Sequence, residues 1–194
     1  MIHPHTELRF INETVGNGVV ATKFIPKGTI TWVMDPLDRE FTKEQYQQLD
    51  SQFRDILDTY TFRNNKGNYI LCWDHGRFVN HSFKSNCLTT AYDFEIAIRD
   101  IQPGEELTDD YGYLNISEPF EAADEGTPRK VVYPDDLLNF YKDWDAQIAS
   151  VFFLLHSVQQ PLSRFLTDST KARIEKVLKK ETELASILEN YYKG

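Results

Sequence analysis

Two polar stretches, separated by one predicted hairpin, constrain this chain more than anything else in it. The first, Arg77 to Asn86, reads Arg-Phe-Val-Asn-His-Ser-Phe-Lys-Ser-Asn. The second, Glu105 to Tyr113, reads Glu-Glu-Leu-Thr-Asp-Asp-Tyr-Gly-Tyr. Singly, each has an ordinary reading. Asn80-His81-Ser82 suits a polar loop with a core histidine, and Pro103-Gly104-Glu105 suits a turn entering a strand. In this order and at this separation, the pair is far more specific than either half.

Arg77, Phe78, Asn80, His81, Ser82 and Asn86 match R-F-x-N-H-S-x-x-x-N. Gly104, Glu105, Glu106, Leu107, Thr108, Asp110, Tyr111 and Gly112 match G-E-E-L-T-x-D-Y-G. In both motifs the chain resembles the SET-domain protein lysine methyltransferases. The resemblance covers about residues 7 to 115. It implies a mainly β fold of short sheets around a knot-like core, here with a helical insert and C-terminal helices. The expected organisation is a SET domain over 1–116 with an insert at about 36–58, then a helical post-SET-like region over 117–194.

Composition bounds the rest. A chain of 194 residues with 41% hydrophobic and 26% charged residues is that of an ordinary globular protein. No apolar run approaches the ~20 residues that span a bilayer, and the first residues lack the pattern of a secretory signal. Cys72 and Cys87 are the only cysteines, so a reduced, intracellular setting (cytoplasm or nucleus) is expected. The cysteine cluster that binds zinc after the tyrosine motif in many SET proteins has no counterpart here, and no metal is expected. A net charge of −9 argues against direct nucleic-acid binding. It suits a basic, lysine-containing protein substrate.

Taken in order, Glu7 to Ile11 alternates like a strand. Gly16, Gly18 and Ala21 also satisfy the dinucleotide pattern G-x-G-x-x-A, which raises a Rossmann oxidoreductase. The context excludes it: Val19, Val20 and Thr22 are β-branched, and Pro26-Lys27-Gly28 closes the segment where a helix should begin. Thr42 with Gln45 predicts a capping box, opening one helix with a Tyr46, Leu49, Phe53, Ile56, Leu57 stripe. Thr59 to Phe62 is expected as a strand, Asn64 to Asn68 as a hairpin turn and Tyr69 to Trp73 as the return. Two more strands follow, near Leu88 to Tyr92 and Phe94 to Ile98. Ser117 to Lys130 reads as a loose connection. One helix is predicted from Pro134 and another from about Ser169 to Tyr192.

The resemblance also implies a site. Tyr111 would be the catalytic tyrosine. Gly16, Asn17, Gly18, Tyr60, Asn80, His81 and Tyr111 would bind S-adenosyl-L-methionine (SAM), the glycines by letting the backbone approach its methionine end. Tyr133, Phe140, Tyr141, Trp144 and Phe120 are the aromatics available to adenine. Two residues before the tyrosine, where many relatives carry Phe or Tyr, stands Asp109. Strand periodicity puts it on the face of Tyr111. The expense of burying an unpaired carboxylate favours instead a local bulge that turns it to solvent, with Thr89 shaping the lysine channel. Either way no bulky aromatic crowds that position, so addition of more than one methyl is expected. The competing class is a non-catalytic SET-like binding or scaffold module.

Overall fold

The computed structural model describes residues 1–194. Strands β1 (Thr6–Asn12) and β2 (Gly16–Ala21) form an antiparallel hairpin. Next come β3 (Ile30–Val33), β4 (Arg39–Phe41), and two helices, α1 (Lys43–Gln47) and α2 (Ser51–Tyr60). Strands β5 (Thr61–Arg63) and β6 (Tyr69–Leu71) make a second hairpin, and a 3-10 turn over His75–Phe78 leads to β7 (Asn80–His81). Strands β8 (Cys87–Thr89), β9 (Phe94–Ala97) and β10 (Glu106–Asp109) follow, then a 3-10 turn over Tyr111–Tyr113. The chain ends with a small hairpin, β11 (Phe120–Glu121) and β12 (Val131–Val132), and helices α3 (Asp136–Phe152) and α4 (Asp168–Leu178).

Three small sheets carry the front of the chain, ordered β1-β2-β10-β7, β3-β9-β8 and β4-β6-β5. In the first, β2 pairs with β10 antiparallel and β10 with β7 parallel. That parallel pair sets Asn80 opposite Thr108 and His81 opposite Asp109, so the two sequence motifs become neighbouring strands. No barrel forms.

Several expectations change. The insert is two helices, not one. The capping box of Thr42 and Gln45 is present, but α1 stops at Gln47 and a new helix starts after Asp50. Of the predicted stripe only Leu57 is buried; Phe53 and Ile56 are 55% and 48% exposed. Tyr60 is the last residue of α2, not part of a strand. The stretch 117–130 includes one arm of a hairpin rather than a loose connection. The last helix ends at Leu178, and Lys180 turns the chain with φ +59°.

The main hydrophobic cluster joins Ile30, Val33, Leu88, Phe94 and Ile96 of the strands to Trp144, Ile148 and Phe152 of α3 and Ile174 and Val177 of α4. The core therefore runs across residue 116 without interruption. Gly28 illustrates how closely the two halves meet. Its φ is +86°, which glycine adopts freely, and an added Cβ would lie 2.5 Å from the Leu154 Cβ.

Candidate active site

Asn86 explains why the first motif ends on an amide. It is fully buried. Its Nδ2 donates to the Glu106 carbonyl at 2.7 Å, and its Oδ1 accepts from the Thr108 N–H at 2.9 Å. One side chain thus satisfies two backbone groups of β10, as a strand partner would. Ser82 adds a backbone bond to the Asp109 carbonyl at 2.9 Å. Arg77 reaches back to the Trp73 carbonyl at 3.1 Å.

Asn80 and His81 lie where this clipping puts them. Asn80 Nδ2 donates to the Asn17 carbonyl at 3.0 Å and to Glu106 Oε1 at 2.7 Å. Asn17, Gly18, Asn80 and Glu106 therefore form one corner. A side chain at position 18 would collide with the Glu106 carboxylate, whereas Gly16, at φ +73°, faces open space. His81 Nδ1 accepts the Tyr111 N–H at 3.1 Å. Its proton is then on Nε2, which is buried and has no partner. Burial holds this imidazole below its ordinary pKa, so it is neutral.

Tyr111 is anchored at both ends. Its N–H is held by His81 and its hydroxyl donates to the Val79 carbonyl at 2.6 Å. Burial, with the charges of Asp109, Glu106 and Glu95, pushes the phenol well up, so it stays protonated. Asp110 braces the turn: its carboxylate accepts from the Gly112 N–H at 3.0 Å and is held by Arg129, which also grips Asp136.

Tyr111 lines a cavity of about 580 Å³ together with Tyr60, Val79, Trp32, Phe120 and Asp109. Tyr60 packs edge-on against Phe78, with centroids 5.1 Å apart. The expected residues thus fall into two groups. Asn17, Gly18, Asn80 and His81 stand outside this cavity, Tyr60 inside it, and Tyr111 links the two. Among the aromatics named for adenine, Phe120 is beside the motifs, 5.5 Å from the His81 ring and 6.1 Å from Tyr111. Trp144 is core, and Phe140 lies under the Arg129 guanidinium at 4.5 Å.

Asp109 corrects the expected bulge. It is 4% exposed and lines the cavity beside Tyr111, as strand periodicity alone requires. Thr89 borders a smaller neighbouring cavity of about 130 Å³ instead. The expense of burying Asp109 is offset by partners that local sequence does not reveal. Tyr113 donates its hydroxyl at 2.8 Å, and Glu95 of β9 lines the same cavity wall. Burial pushes Asp109 up to about 6. Burial, and then the Asp109 charge, push Glu95 up as well. Near neutral pH the pair therefore shares one proton and carries one negative charge. Glu95 was not singled out from sequence; the signal was a carboxylate inside the apolar run Phe94-Glu95-Ile96.

A family model, that of the SET domain, matches residues 16–112, half of the chain. The chain belongs to the SET-domain family. None of the curated proteins searched matches this SET-domain chain. Among solved structures it is similar to the crystal structure of a Plasmodium falciparum protein described as a candidate histone methyltransferase. Identity there is 19%, over 57% of this chain and 95% of that one, with a TM-score of 0.41.

SET-domain methyltransferases typically use SAM. The corner at Asn17, Asn80 and His81 fits such a group in two respects. Gly16 leaves open space beside the main chain, and the buried His81 Nε2–H awaits an acceptor.

Proposed function

We propose that this SET-domain chain transfers methyl groups from SAM to a lysine side chain of a protein substrate. The observation that carries this reading is the double anchoring of Tyr111 between the Asn17–Asn80 corner and the cavity. SAM would supply a methyl group on a positively charged sulfur. Asn80 and the main chain of Gly16, Asn17 and Gly18 would hold its amino-acid end, with His81 and Phe120 flanking its adenine.

The remaining work belongs to the chain's own residues. Lysine must present a neutral amine, although its ordinary pKa is ~10.4. Removal from water in the cavity, half of whose lining residues are apolar, disfavours the charged form. Because the Tyr111 hydroxyl proton is committed to the Val79 carbonyl, the phenol oxygen is left as an acceptor for an amine N–H. That contact would aim the nitrogen lone pair along the line of transfer. The net charge of −9 favours a basic substrate by steering encounter.

The test is to incubate the protein with labelled SAM and a panel of basic proteins, and to follow label transfer and the mass of each lysine. Transfer is expected, and under excess SAM the product should pass beyond monomethyl-lysine, because no aromatic stands at position 109. SAM binding without transfer to any member would favour a non-catalytic module. Asn80→Ala should weaken SAM binding by roughly 1.5–3 kcal/mol, as for a lost hydrogen bond to a charged group. Unchanged affinity by calorimetry would remove Asn80 from the cofactor site.

A further inference from the structure

Glu95 and Asp109 are an unusual pair of groups to find in the wall of a cavity. Both line it, and neither forms an ion pair. The two guanidinium groups of the same wall are engaged elsewhere. Arg63 donates to the carbonyls of Asn115 and Ile116, and Arg77 to that of Trp73. A buried charge without a counter-charge is a standing liability to the fold. A second sign points to a guest in the same space. Trp32, paired with Glu95 across β3 and β9, borders the cavity at 5% exposure, and its indole N–H has no acceptor. A carbonyl or water brought in with a ligand would provide one.

We propose that the Glu95–Asp109 pair is the seat of the substrate's cationic nitrogen and takes the proton which that nitrogen must lose. The proposal rests on the methyl-transfer reading above and deepens it. The protonated amine enters as counter-ion to the single charge of the pair. One N–H bond then breaks and an O–H bond forms on Asp109, leaving a neutral acid beside a neutral amine, which a low-dielectric cavity favours over two ions. The freed lone pair makes the N–C bond as the S–C bond breaks, and that bond's electrons leave with the sulfur. Asp109 then returns its proton to solvent through the cavity, and the methylated ammonium again has a counter-ion. The seat accepts ammonium and methylammonium groups and rejects neutral side chains.

The other titratable groups acting on the pair are Tyr111, Tyr113, Cys72, Cys87, Asp110 and the N-terminal ammonium, which is itself paired with Asp35 at 2.7 Å. Burial pushes both phenols and both thiols up, so they are neutral near pH 7. Asp110 is held by Arg129.

The seat is tested on the full chain with two small probes: n-butylammonium, which is the lysine side chain alone, and 1-butanol, its neutral counterpart. In ligand-observed NMR titrations at pH 7.5 the ammonium should bind at least about tenfold more tightly than the alcohol. Glu95→Gln and Asp109→Asn should each stay within about threefold of wild type, since either leaves one carboxyl to carry the charge. The double variant should lose about tenfold or more, a change worth ~1.4 kcal/mol. Equal binding of the two probes, or wild-type binding by the double variant, overturns the seat. Should the double variant fail to fold, the comparison of probes on wild type decides. The proton step is read from the pH profile of single-turnover transfer. Wild type should level off at lower pH than the double variant, and coincident profiles overturn that step. Absence of transfer by wild type would fell the methyl-transfer reading and the proton step together, while the titrations still decide the seat.

Discussion

At the residue scale, Asn86 and Tyr111 show two different reasons for a motif position. Asn86 is structural: it answers two backbone groups of β10 from a fully buried position. Asn86→Ala leaves the Thr108 N–H and the Glu106 carbonyl without that partner, at about 1–3 kcal/mol for each buried group. A loss of roughly 3 kcal/mol in urea unfolding is expected, and a loss under about 1 kcal/mol would show that water replaces the amide. Tyr111 contributes a hydroxyl in the cavity. Tyr111→Phe should reduce methyl transfer by about 10²-fold or more, the scale on which a misaligned reactant loses rate. SAM affinity should stay within a factor of a few, and retention of wild-type turnover would remove Tyr111 from catalysis. Both residues were legible in sequence by identity. The partner of Asp109 was not, because Glu95 reaches it from a strand of another sheet.

At the element scale, what could be read depended on how local the cause was. The Thr42–Gln45 capping box is a four-residue device and is present as expected. The predicted helix to Tyr192 failed for a distant reason. Asp145 on α3 accepts from the Ser186 hydroxyl at 2.6 Å and from the Ile187 N–H at 2.8 Å, and this capture holds the chain in a short turn. Nothing in the periodicity of Ile187 and Leu188 reveals it. The β11–β12 hairpin was missed for a similar reason, and the loop joining its strands carries Arg129 back to the tyrosine motif. There Arg129 bridges Asp110 and Asp136, each 2% exposed, and stacks on Phe83 and Phe140 at 4.6 and 4.5 Å. Arg129→Met keeps apolar volume but strands both carboxylates. Breaking a buried pair from one side typically costs about 3–5 kcal/mol, so the variant should melt at much lower temperature. A melting temperature within a degree or so of wild type would show that the bridge is dispensable.

At the scale of the whole molecule, the buried titrating groups give the stability two opposed dependences on pH. His3, 3% exposed, is held by burial, and then by His5, at about 4 against an ordinary 6.5. Its contribution is complete above pH 6.5 and is lost as pH falls toward 4, because only the unfolded chain takes up the proton there. The carboxyl pair works the other way. Asp109 is raised from 3.8 to about 6 and Glu95 is raised as well, so between about pH 4 and 6 the folded state holds more protons than the unfolded one. The contribution of the pair is most favourable below about pH 4 and declines as pH rises through 6. In wild type the two slopes partly cancel. The Glu95→Gln, Asp109→Asn double variant removes only the second, and its amides can still pair with each other and with Tyr113. It should therefore gain stability over wild type at pH 8 and lose most of that gain at pH 4.5. In a chain of this size each kcal/mol moves the melting temperature by about 2–4 °C, so melts at the two pH values resolve the difference. A gain at pH 8 alongside loss of butylammonium binding is the pattern expected when a charged group is kept for function at the expense of stability. A variant less stable than wild type at pH 8 by as much as at pH 4.5 would mean that the pair holds the fold through packing and hydrogen bonds, not as a buried charge.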